Sequence, residues 1–310
     1  MTKYAFIGGT IRGYLLFKEL LEQNRIPVYA VILKEDEHEE EKYSVLLSEL
    51  LKNNNIPFSV KKKLDDDDYK VIKESGLDFV IVSGWRTLID TDINKYIKEG
   101  IIASHYSLLP EYRGFAPTQW AIINGEKVTG VTLFKIEEGD TDSGKVFAQR
   151  KVEINFNDYA YDVDLKNIKC AIELYLEYFE KFETGKIKYF EQDKSKATYT
   201  CKRTPEDGKI EWSKSSIEIY NLIRALAFPY PGAFCFYKDK CFHIRKAELG
   251  RNNEKIFAGK IPGRVAGIYN EGIEVLCGEG TILLVEWEDK TLKKTNCPSD
   301  VVKSLTSTLK

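Results

Sequence analysis

The sequence predicts an α/β protein in which a doubly wound, mostly parallel sheet is followed by a smaller, barrel-like β domain. Continuous apolar runs alternate with helical patterns in the first half of the chain. Such runs are typical of parallel strands that are covered on both faces. Several short strand-like runs, each bounded by Gly, Asn or Asp, follow toward the C-terminus. A length of 310 residues also exceeds what one core comfortably fills, which favours two domains.

Strands and helices are predicted to alternate along the first part of the chain. The predicted strands are 4–7, 28–33, 58–60 and 78–82, and the predicted helices follow the 8–10 turn and cover 43–53 and 68–75. The run from Asp78 to Val82 is the strongest strand signal in the sequence. This order of elements is typical of an open parallel sheet.

A second set of elements is predicted beyond residue 160. A helix over 163–182, stopped by Gly185, is followed by a turn at 203–208, a strand reaching Trp212 and a helix over 216–226. Strands are then predicted at 233–237, 241–246, 263–269, 273–277 and 281–286. Between this helix and the turn, residues 192–202 are polar and non-periodic. We therefore predict a first domain at 1–190, a linker at 191–207 and a β-rich domain at 208–310.

Composition narrows the class of protein. With 43% hydrophobic and 30% charged residues the chain has a globular composition, and its net charge of −2 gives no overall attraction to polyanions. The six cysteines show no Cys-x-x-Cys spacing, so we expect reduced thiols and no metal. A strand that begins at Lys3 leaves no room for a signal peptide, and no apolar run is long enough to span a bilayer. We expect a cytoplasmic protein that does not enter membranes.

Gly8, Gly9 and Gly13 invite comparison with a dinucleotide-binding loop. Their spacing is Gly-Gly-x-x-x-Gly instead of Gly-x-Gly-x-x-Gly, and Leu33 is followed by Lys34 instead of a ribose-binding acid. A tight turn between a strand and a helix is the better explanation.

Two side chains are the candidates for acid–base chemistry. His105 is one of three histidines, and it lies where a short apolar run breaks into a loop rich in Pro and Gly. Asp142 lies in a turn flanked by glycines after another predicted strand. Strand ends that open into loops are where α/β proteins place their chemistry. A lone histidine is most often a satisfied polar residue, and an Asp in a turn can be turn chemistry alone. His38 and His243 are interpreted as bystanders.

The residues around His105 carry a resemblance to a known family. The chain reads His-Tyr-Ser-Leu-Leu-Pro from His105, then Tyr-Arg-Gly from Tyr112, Ala-Pro from Ala116 and Asp-Ser-Gly from Asp142. It resembles the formyltransferases that use N10-formyltetrahydrofolate, which include methionyl-tRNA formyltransferase, the glycinamide ribonucleotide enzyme and the sugar-nucleotide N-formyltransferases. The likeness continues through 203–208, 223–226 and 229–234, which look like the second-domain signature of the tRNA and amino-sugar branches.

The resemblance implies roles for named positions in a formyl transfer that needs no metal. His105 would contact the formyl carbonyl or the attacking amine, and Asp142 would orient His105 and stabilise its charge or act through an ordered water. The folate would lie against the following residues: Ser83, Gly84, Trp85, Arg86, Thr87, Leu88, Gly139 and Asp142. The acceptor would meet Gly9, Thr10, Ser107, Tyr112, Arg113 and Tyr230. Taken alone, Arg113 could equally anchor a loop, and Trp85 and Tyr230 could equally be packing residues.

One position departs from the family pattern. Alignment on His105 and Ser107 puts the family's Asn, whose amide helps hold the formyl oxygen, at Ala103. A methyl group donates no hydrogen bond, and losing one such donor typically costs about 100- to 1,000-fold in turnover. Ser104 is adjacent, but strand alternation should turn it to the opposite face. Three interpretations stay open: another group donates, the chain is an impaired variant, or the reaction proceeds without this donor.

Charge patterning bears on the acceptor. As the resemblance implies, the tRNA branch carries a basic loop after the second strand, whereas Lys34 is followed here by an acidic run to Glu41. Acidic side chains repel a phosphate backbone. We therefore expect a dTDP- or UDP-linked amino-deoxysugar destined for a surface polysaccharide, no nucleic acid partner, and a homodimer as one option. The alternatives are a methionyl-tRNA formyltransferase and a protein that binds folate or nucleotide sugar without turnover.

Overall fold

The computed structural model describes residues 2–36, 41–252, 254–289 and 294–310. These residues form two compact units. The first contains Met1–Gly114, Gly130–Val152 and Leu165–Tyr199, and the second contains Phe115–Thr129, Glu153–Asp164 and Thr200–Lys310. The chain thus enters the second unit three times, and the boundaries predicted at 190 and 208 stay a prediction. Among the described residues, no helix combines the length and apolar character needed to cross a bilayer.

The elements up to residue 200 follow the predicted alternation. The strands are β1 (Tyr4–Gly8), β2 (Tyr29–Leu33), β3 (Phe58–Lys61), β4 (Phe79–Ser83), β5 (Ile101–His105), β6 (Arg113–Gly114), β7 (Val128–Ile136), β8 (Val146–Glu153) and β9 (Tyr199–Thr200). The helices are α1 (Thr10–Glu22), α2 (Tyr43–Asn53), α3 (Asp66–Glu74), α4 (Pro117–Ile123) and α5 (Ala160–Thr184), with a 3-10 turn at Thr91–Tyr96.

The main sheet has seven strands in the order β3-β2-β1-β4-β5-β7-β8. Its first five strands are parallel, whereas β7 runs antiparallel to β5. Successive residues of the central strands enter two separate apolar clusters: Ile102 packs in one, and its neighbours Ile101 and Ala103 pack in the other. Both faces are therefore covered, which confirms the predicted doubly wound sheet.

The glycines near the N-terminus serve close packing. Gly9 donates its N–H to the Ser83 carbonyl at 3.1 Å, which joins the ends of β1 and β4. A Cβ atom at Gly13 would lie 2.7 Å from that same oxygen. Glycine is therefore required because α1 starts directly against the end of β4, in agreement with the tight turn that we predicted.

Gly84→Ala tests this close approach. Gly84 has a φ of +70°, and an added Cβ would lie 2.5 Å from Thr10 Oγ1 as well as against the Gly9 carbonyl. Gly76 (φ +60°) is the matched control, because its Cβ would meet nothing within 4 Å. We expect Gly76→Ala to lower the free energy of unfolding by about 1–2 kcal/mol through backbone strain alone. Gly84→Ala should cost roughly 1–3 kcal/mol more through crowding. Urea denaturation of both variants measures the difference, and equal losses would contradict it.

The second unit holds a six-stranded antiparallel sheet. Its elements are α6 (Ser216–Leu226), β10 (Ala233–Tyr237), β11 (Lys240–Leu249), β12 (Val265–Tyr269), β13 (Gly272–Leu276), β14 (Thr281–Asp289), β15 (Lys294–Asn296) and α7 (Pro298–Val301). The strand order is β10-β11-β14-β13-β12, with β15 on β14. The C-terminal residues bond both edges, since Lys310 exchanges two hydrogen bonds with Phe236 and Leu309 donates to the Gly263 carbonyl. This bridging gives the predicted barrel-like character.

The predicted strand that reaches Trp212 is wrong. Residues Pro205–Gly208 form a 3-10 turn, and beyond it Lys209 makes only an isolated bridge to Phe234. The Trp212 carbonyl instead accepts from the N–H of Gly278. Because the segment bonds to one strand at its start and to a different loop at its end, no continuous ladder forms.

Candidate active site

Strand β5 presents Ala103 and His105 toward one face of the sheet. Ala103 packs with Val82 and Phe134, while Ile102 and Tyr106 pack in the cluster on the opposite face. Ser104 therefore shares the face of Ile102, as strand alternation predicted. It hydrogen-bonds there with Tyr175, whose pKa is raised by burial.

His105 and Asp142 lie side by side in the first unit. His105 is only 8% exposed, and its Nδ1 lies 3.5 Å from Asp142 Oδ2, which is close enough for ion pairing but long for a direct hydrogen bond. Its Nε2 lies 2.8 Å from the Tyr112 carbonyl. Because a carbonyl can only accept, Nε2 carries the N–H, and a neutral ring then has its lone pair on Nδ1. The ring is arranged to gain a proton at the atom that faces the carboxylate.

The backbone around Asp142 holds the carboxylate in place. Asp142 adopts a left-handed conformation with a φ of +54°, and its Oδ2 accepts the Gly114 N–H at 2.9 Å. Gln192 Nε2 donates to the carbonyls of Asp142 (2.8 Å) and Gly144 (2.7 Å). Sequence reasoning missed Gln192 because it lies in the predicted linker, 50 residues from the turn that it fixes, and carries no local signal.

Arg113 anchors this loop in the structure. It is 1% exposed and donates from Nε (3.1 Å) and Nη2 (2.6 Å) to Gln192 Oε1, and from Nη1 to the Tyr199 hydroxyl at 3.2 Å. Ser107 is buried and donates to the Glu111 carbonyl at 2.6 Å. Tyr112, with a φ of +57°, donates its N–H to Thr198 Oγ1 at 2.8 Å. These contacts fix the loop whose Tyr112 carbonyl accepts from His105 Nε2. The predicted contacts of Ser107, Tyr112 and Arg113 with the acceptor stay predictions.

The loop after β4 lies at the same edge of the sheet as His105, because β4 pairs with β5. Val82 pairs with Ala103 across β4 and β5, and Gly8 pairs with Ser83 across β1 and β4. The ends of these three neighbouring strands therefore meet at one edge of the sheet. The loop then turns at Gly84, packs a half-buried Trp85 and leaves residues 86–88 exposed. Gly139, with a φ of +141°, lies in the exposed loop before Asp142.

Two enclosed polar atoms at this edge have no partner within the described part of the chain. They are Thr10 Oγ1 and Trp85 Nε1. Most buried polar groups are hydrogen-bonded, and an unpaired one costs about 1–3 kcal/mol. A bound ligand could satisfy both of these unpaired donors at the edge of the sheet.

Tyr230 belongs to the second unit. Its hydroxyl donates to the Asp164 carboxylate, which also accepts from Thr118 at 3.1 Å. The predicted site residues thus fall into a group from the first unit and this one tyrosine from the second. Across the described ranges, no three His, Cys, Asp or Glu side chains come together as a metal site would require.

Comparison with known proteins identifies relatives of this chain. Residues 17–177 match the formyl transferase family and residues 202–301 match the formyl transferase C-terminal domain. A methionyl-tRNA formyltransferase of Thermodesulfovibrio yellowstonii is 37% identical over 240 residues, which cover 76% of this chain and 75% of that protein. One of Clostridium novyi is 37% identical over 245 residues, which cover 77% and 76%.

Solved structures share the fold. The N-formyltransferase from Helicobacter canadensis, in complex with folinic acid and dTDP-3-aminofucose, superposes with a TM-score of 0.72 at 21% identity and covers 92% of this chain and 99% of that one. The sugar 3N-formyltransferase WlaRD gives 0.68 at 22% identity, with 91% and 97% covered. HypX from Aquifex aeolicus, in complex with tetrahydrofolic acid, gives 0.65 at 18% identity, with 97% and 47% covered. Both family models and the 37% relatives agree, and the chain belongs to the formyl transferase family.

Proposed function

We propose that this protein transfers a formyl group from N10-formyltetrahydrofolate to the amine of a dTDP- or UDP-linked amino-deoxysugar in the cytoplasm. The observation that carries the chemistry is the approach of His105 Nδ1 to Asp142 Oδ2 at 3.5 Å, at the end of a central strand. Acyl transfer to an amine releases a proton, and an imidazole beside a carboxylate is suited to receive it.

The protein's own groups define where that proton goes. The N–H on Nε2 donates to the Tyr112 carbonyl, so the acceptor's proton enters at Nδ1. The resulting imidazolium is flanked by the Tyr112 carbonyl and the Asp142 carboxylate, which both favour positive charge. Asp142 is held for this role by the Gly114 N–H and by Gln192 on its backbone carbonyl.

The residues at the edge of the sheet fit a folate. When bound, the folate supplies the electrophilic formyl carbon. The loop 83–88 and Gly139 would hold it, and the exposed backbone of residues 86–88 and of Gly139 could pair with a flat, amide-like pterin edge. Thr10 Oγ1 and Trp85 Nε1 offer two hydrogen-bond donors that no described protein group uses.

Trp85→Phe tests the source of the donor that Ala103 cannot provide. Trp85 packs on the apolar cluster that contains Ala103, so its indole N–H is the candidate replacement. Because the N–H is unpaired, Phe should leave the free energy of unfolding within about 1 kcal/mol of wild type. Turnover should fall by about 100- to 1,000-fold, since one donor to developing charge is lost. Steady-state formyl transfer and thermal denaturation measure the two quantities.

Ala103→Asn provides the complementary change. In the wild-type background the amide should add little turnover, and it should lower stability by about 1–3 kcal/mol because Ala103 is enclosed. In the Trp85→Phe background it should restore part of the lost turnover. A rise of tenfold or more in the single variant would show instead that the donor is simply missing from this chain.

Charge supports a nucleotide sugar as the acceptor. The net charge is −2, and the run after Lys34 is acidic, although its residues 37–40, with His38, lie outside the described residues. Of the described ones, Glu35 is buried and accepts the Ser44 N–H at 2.7 Å, and Asp36 pairs with Lys62. Both of these described carboxylates add negative charge to this part of the chain, which disfavours contact with a phosphate backbone.

Methionyl-tRNA is the second candidate, and the 37% identity to methionyl-tRNA formyltransferases favours it. A radiolabelled formyl-transfer assay with N10-formyltetrahydrofolate separates the candidates when it offers dTDP- and UDP-linked amino sugars and methionyl-tRNA in parallel. Product with the amino sugars alone supports the proposal, and product with methionyl-tRNA alone replaces it. Folate binding with no product from any acceptor would identify a protein that has lost turnover.

A further inference from the structure

The loop 105–112 returns to the ring from which it starts. Its last carbonyl, that of Tyr112, accepts from His105 Nε2 at 2.8 Å. Within the loop, Ser107 Oγ donates to the Glu111 carbonyl at 2.6 Å, and the Glu111 N–H donates to the Leu108 carbonyl at 3.1 Å. The shape of this loop therefore decides where the Tyr112 carbonyl lies relative to the imidazole.

One side chain of the neighbouring strand holds this loop in place. Thr132 of β7 is buried and lies opposite His105 in the pairing of β5 with β7, so both side chains project from the same face of the sheet. Its hydroxyl donates to the Ser107 carbonyl at 2.7 Å and accepts from the Leu109 N–H at 3.0 Å. Gln149 Nε2 donates to the same hydroxyl at 2.9 Å. A hydroxyl has one donor and two acceptor positions, and all three are used here.

The position of the Tyr112 carbonyl decides the tautomer of His105. A neutral imidazole carries one N–H, and two acceptors compete for it, the Tyr112 carbonyl at Nε2 and the Asp142 carboxylate at Nδ1. A hydrogen bond to a carboxylate is roughly twice as strong as one to a neutral acceptor, so the carboxylate would win at equal distance. The carbonyl keeps the N–H because it lies at 2.8 Å, whereas the carboxylate lies at 3.5 Å. A loop that let the carbonyl move away would place the proton on Nδ1.

Loss of the Thr132 hydroxyl would release the loop at two points. The Ser107 carbonyl would lose a donor, and the Leu109 N–H would lose its acceptor. Both residues are buried, and a buried backbone group without a partner is costly, so the backbone would shift toward other partners. A displacement of about 1 Å near the reacting groups can lower turnover by about 100-fold.

We propose that Thr132 is a positioning residue for formyl transfer. Its hydroxyl fixes the loop 105–112, and through the Tyr112 carbonyl it keeps His105 in the tautomer that has its lone pair on Nδ1. Without this contact Nδ1 would carry the N–H, bonded to Asp142, and it could not take the proton of the attacking amine. The proton-accepting role of His105 rests on the proposed function, whereas the tautomer and the contacts that hold it do not.

Thr132→Val tests this role, because valine keeps the shape of threonine and removes only the hydroxyl. Nitrogen NMR shifts of the imidazoles report the tautomer in the full chain without folate or formyl acceptor. The chain has three histidines, and the spectrum of His105→Gln assigns the signal. We expect the neutral ring to carry Nε2–H in wild type and to shift toward Nδ1–H in Thr132→Val.

Formyl transfer provides the second readout, with the formyl acceptor that gives product in the parallel assay. In Thr132→Val, kcat should fall by about 10- to 100-fold, because the proton-accepting atom is blocked. The KM for folate should stay within about threefold of wild type, because the loop 83–88 is unaltered. Thr132→Ser keeps the hydroxyl and should restore both the tautomer and kcat.

Thr281→Val is the matched control for a loss of stability. Thr281 is a buried threonine of the second unit, and its hydroxyl donates to Glu274 Oε1 at 2.6 Å. This variant should lower the melting temperature as Thr132→Val does, but it should leave the tautomer and kcat unchanged. If Thr132→Val does not fold, Gln149→Met replaces it, because Gln149 is exposed and its amide bonds both Thr132 and the Leu109 carbonyl. It should shift the tautomer and kcat in the same direction.

Three outcomes would overturn the inference. They are a wild-type tautomer in Thr132→Val, a loss of turnover that Thr132→Ser shares, and an equal loss of turnover in Thr281→Val. A shifted tautomer with wild-type turnover would confirm the positioning contact and would instead reject the proton path of the proposed function.

Discussion

Asp142→Asn should reduce formyl transfer by about 100-fold or more while the protein stays folded. Asparagine suits the substitution because it adopts the left-handed backbone of residue 142 (φ +54°) more readily than alanine does. Its side-chain oxygen can still accept the Gly114 N–H, and Gln192 still binds the backbone carbonyl. The change therefore removes the negative charge beside His105 Nδ1 and leaves the turn in place.

Asp140→Asn is the matched control for that experiment. Asp140 lies two residues away on the same loop, is exposed, and uses its backbone carbonyl to accept from Ser143. Its turnover should stay within about twofold of wild type, since surface substitutions away from buried networks have small effects. Turnover in Asp142→Asn equal to that of Asp140→Asn would remove the carboxylate from the proposed chemistry.

His105→Gln should lower turnover by about 100- to 10,000-fold, the range that general acid–base groups contribute. Glutamine can keep an N–H directed at the Tyr112 carbonyl but offers no nitrogen that accepts a proton. The loop contact, and with it the fold, should survive. Single-turnover assays with saturating folate and acceptor measure the chemical step.

Two further measurements make the His105→Gln result interpretable. Thermal denaturation should show a melting temperature close to that of wild type, and folate binding should persist, because the loop 83–88 and Thr10 are unaltered. Wild-type turnover in a folded His105→Gln variant would rule out the imidazole as proton acceptor. Combining the variant with Asp142→Asn should add little further loss, since the two groups act as one unit.

Much of the fold could be predicted because its signals are local. Asp78 to Val82 reads as a buried strand from five residues alone, and β4 covers Phe79–Ser83. The predicted strand that reaches Trp212 was wrong because the bonds of this segment are long-range instead of local. Its residues have strand-like composition, but their bonds go to Phe234 and Gly278, which no local pattern reveals.

The same distinction between local and tertiary information applies to the candidate site. By itself, the sequence determined the family, the strand-end positions of His105 and Asp142, and the missing amide at Ala103, since motif spacing and side-chain identity are properties of the chain. Only the tertiary structure decided that the Tyr112 carbonyl accepts from His105 Nε2, that Gln192 and Arg113 fix the Asp142 turn, and that Thr10 and Trp85 have unpaired polar atoms. The physical reason is that hydrogen bonding and burial depend on partners brought together across the fold, and the residue sequence does not encode these at any fixed spacing.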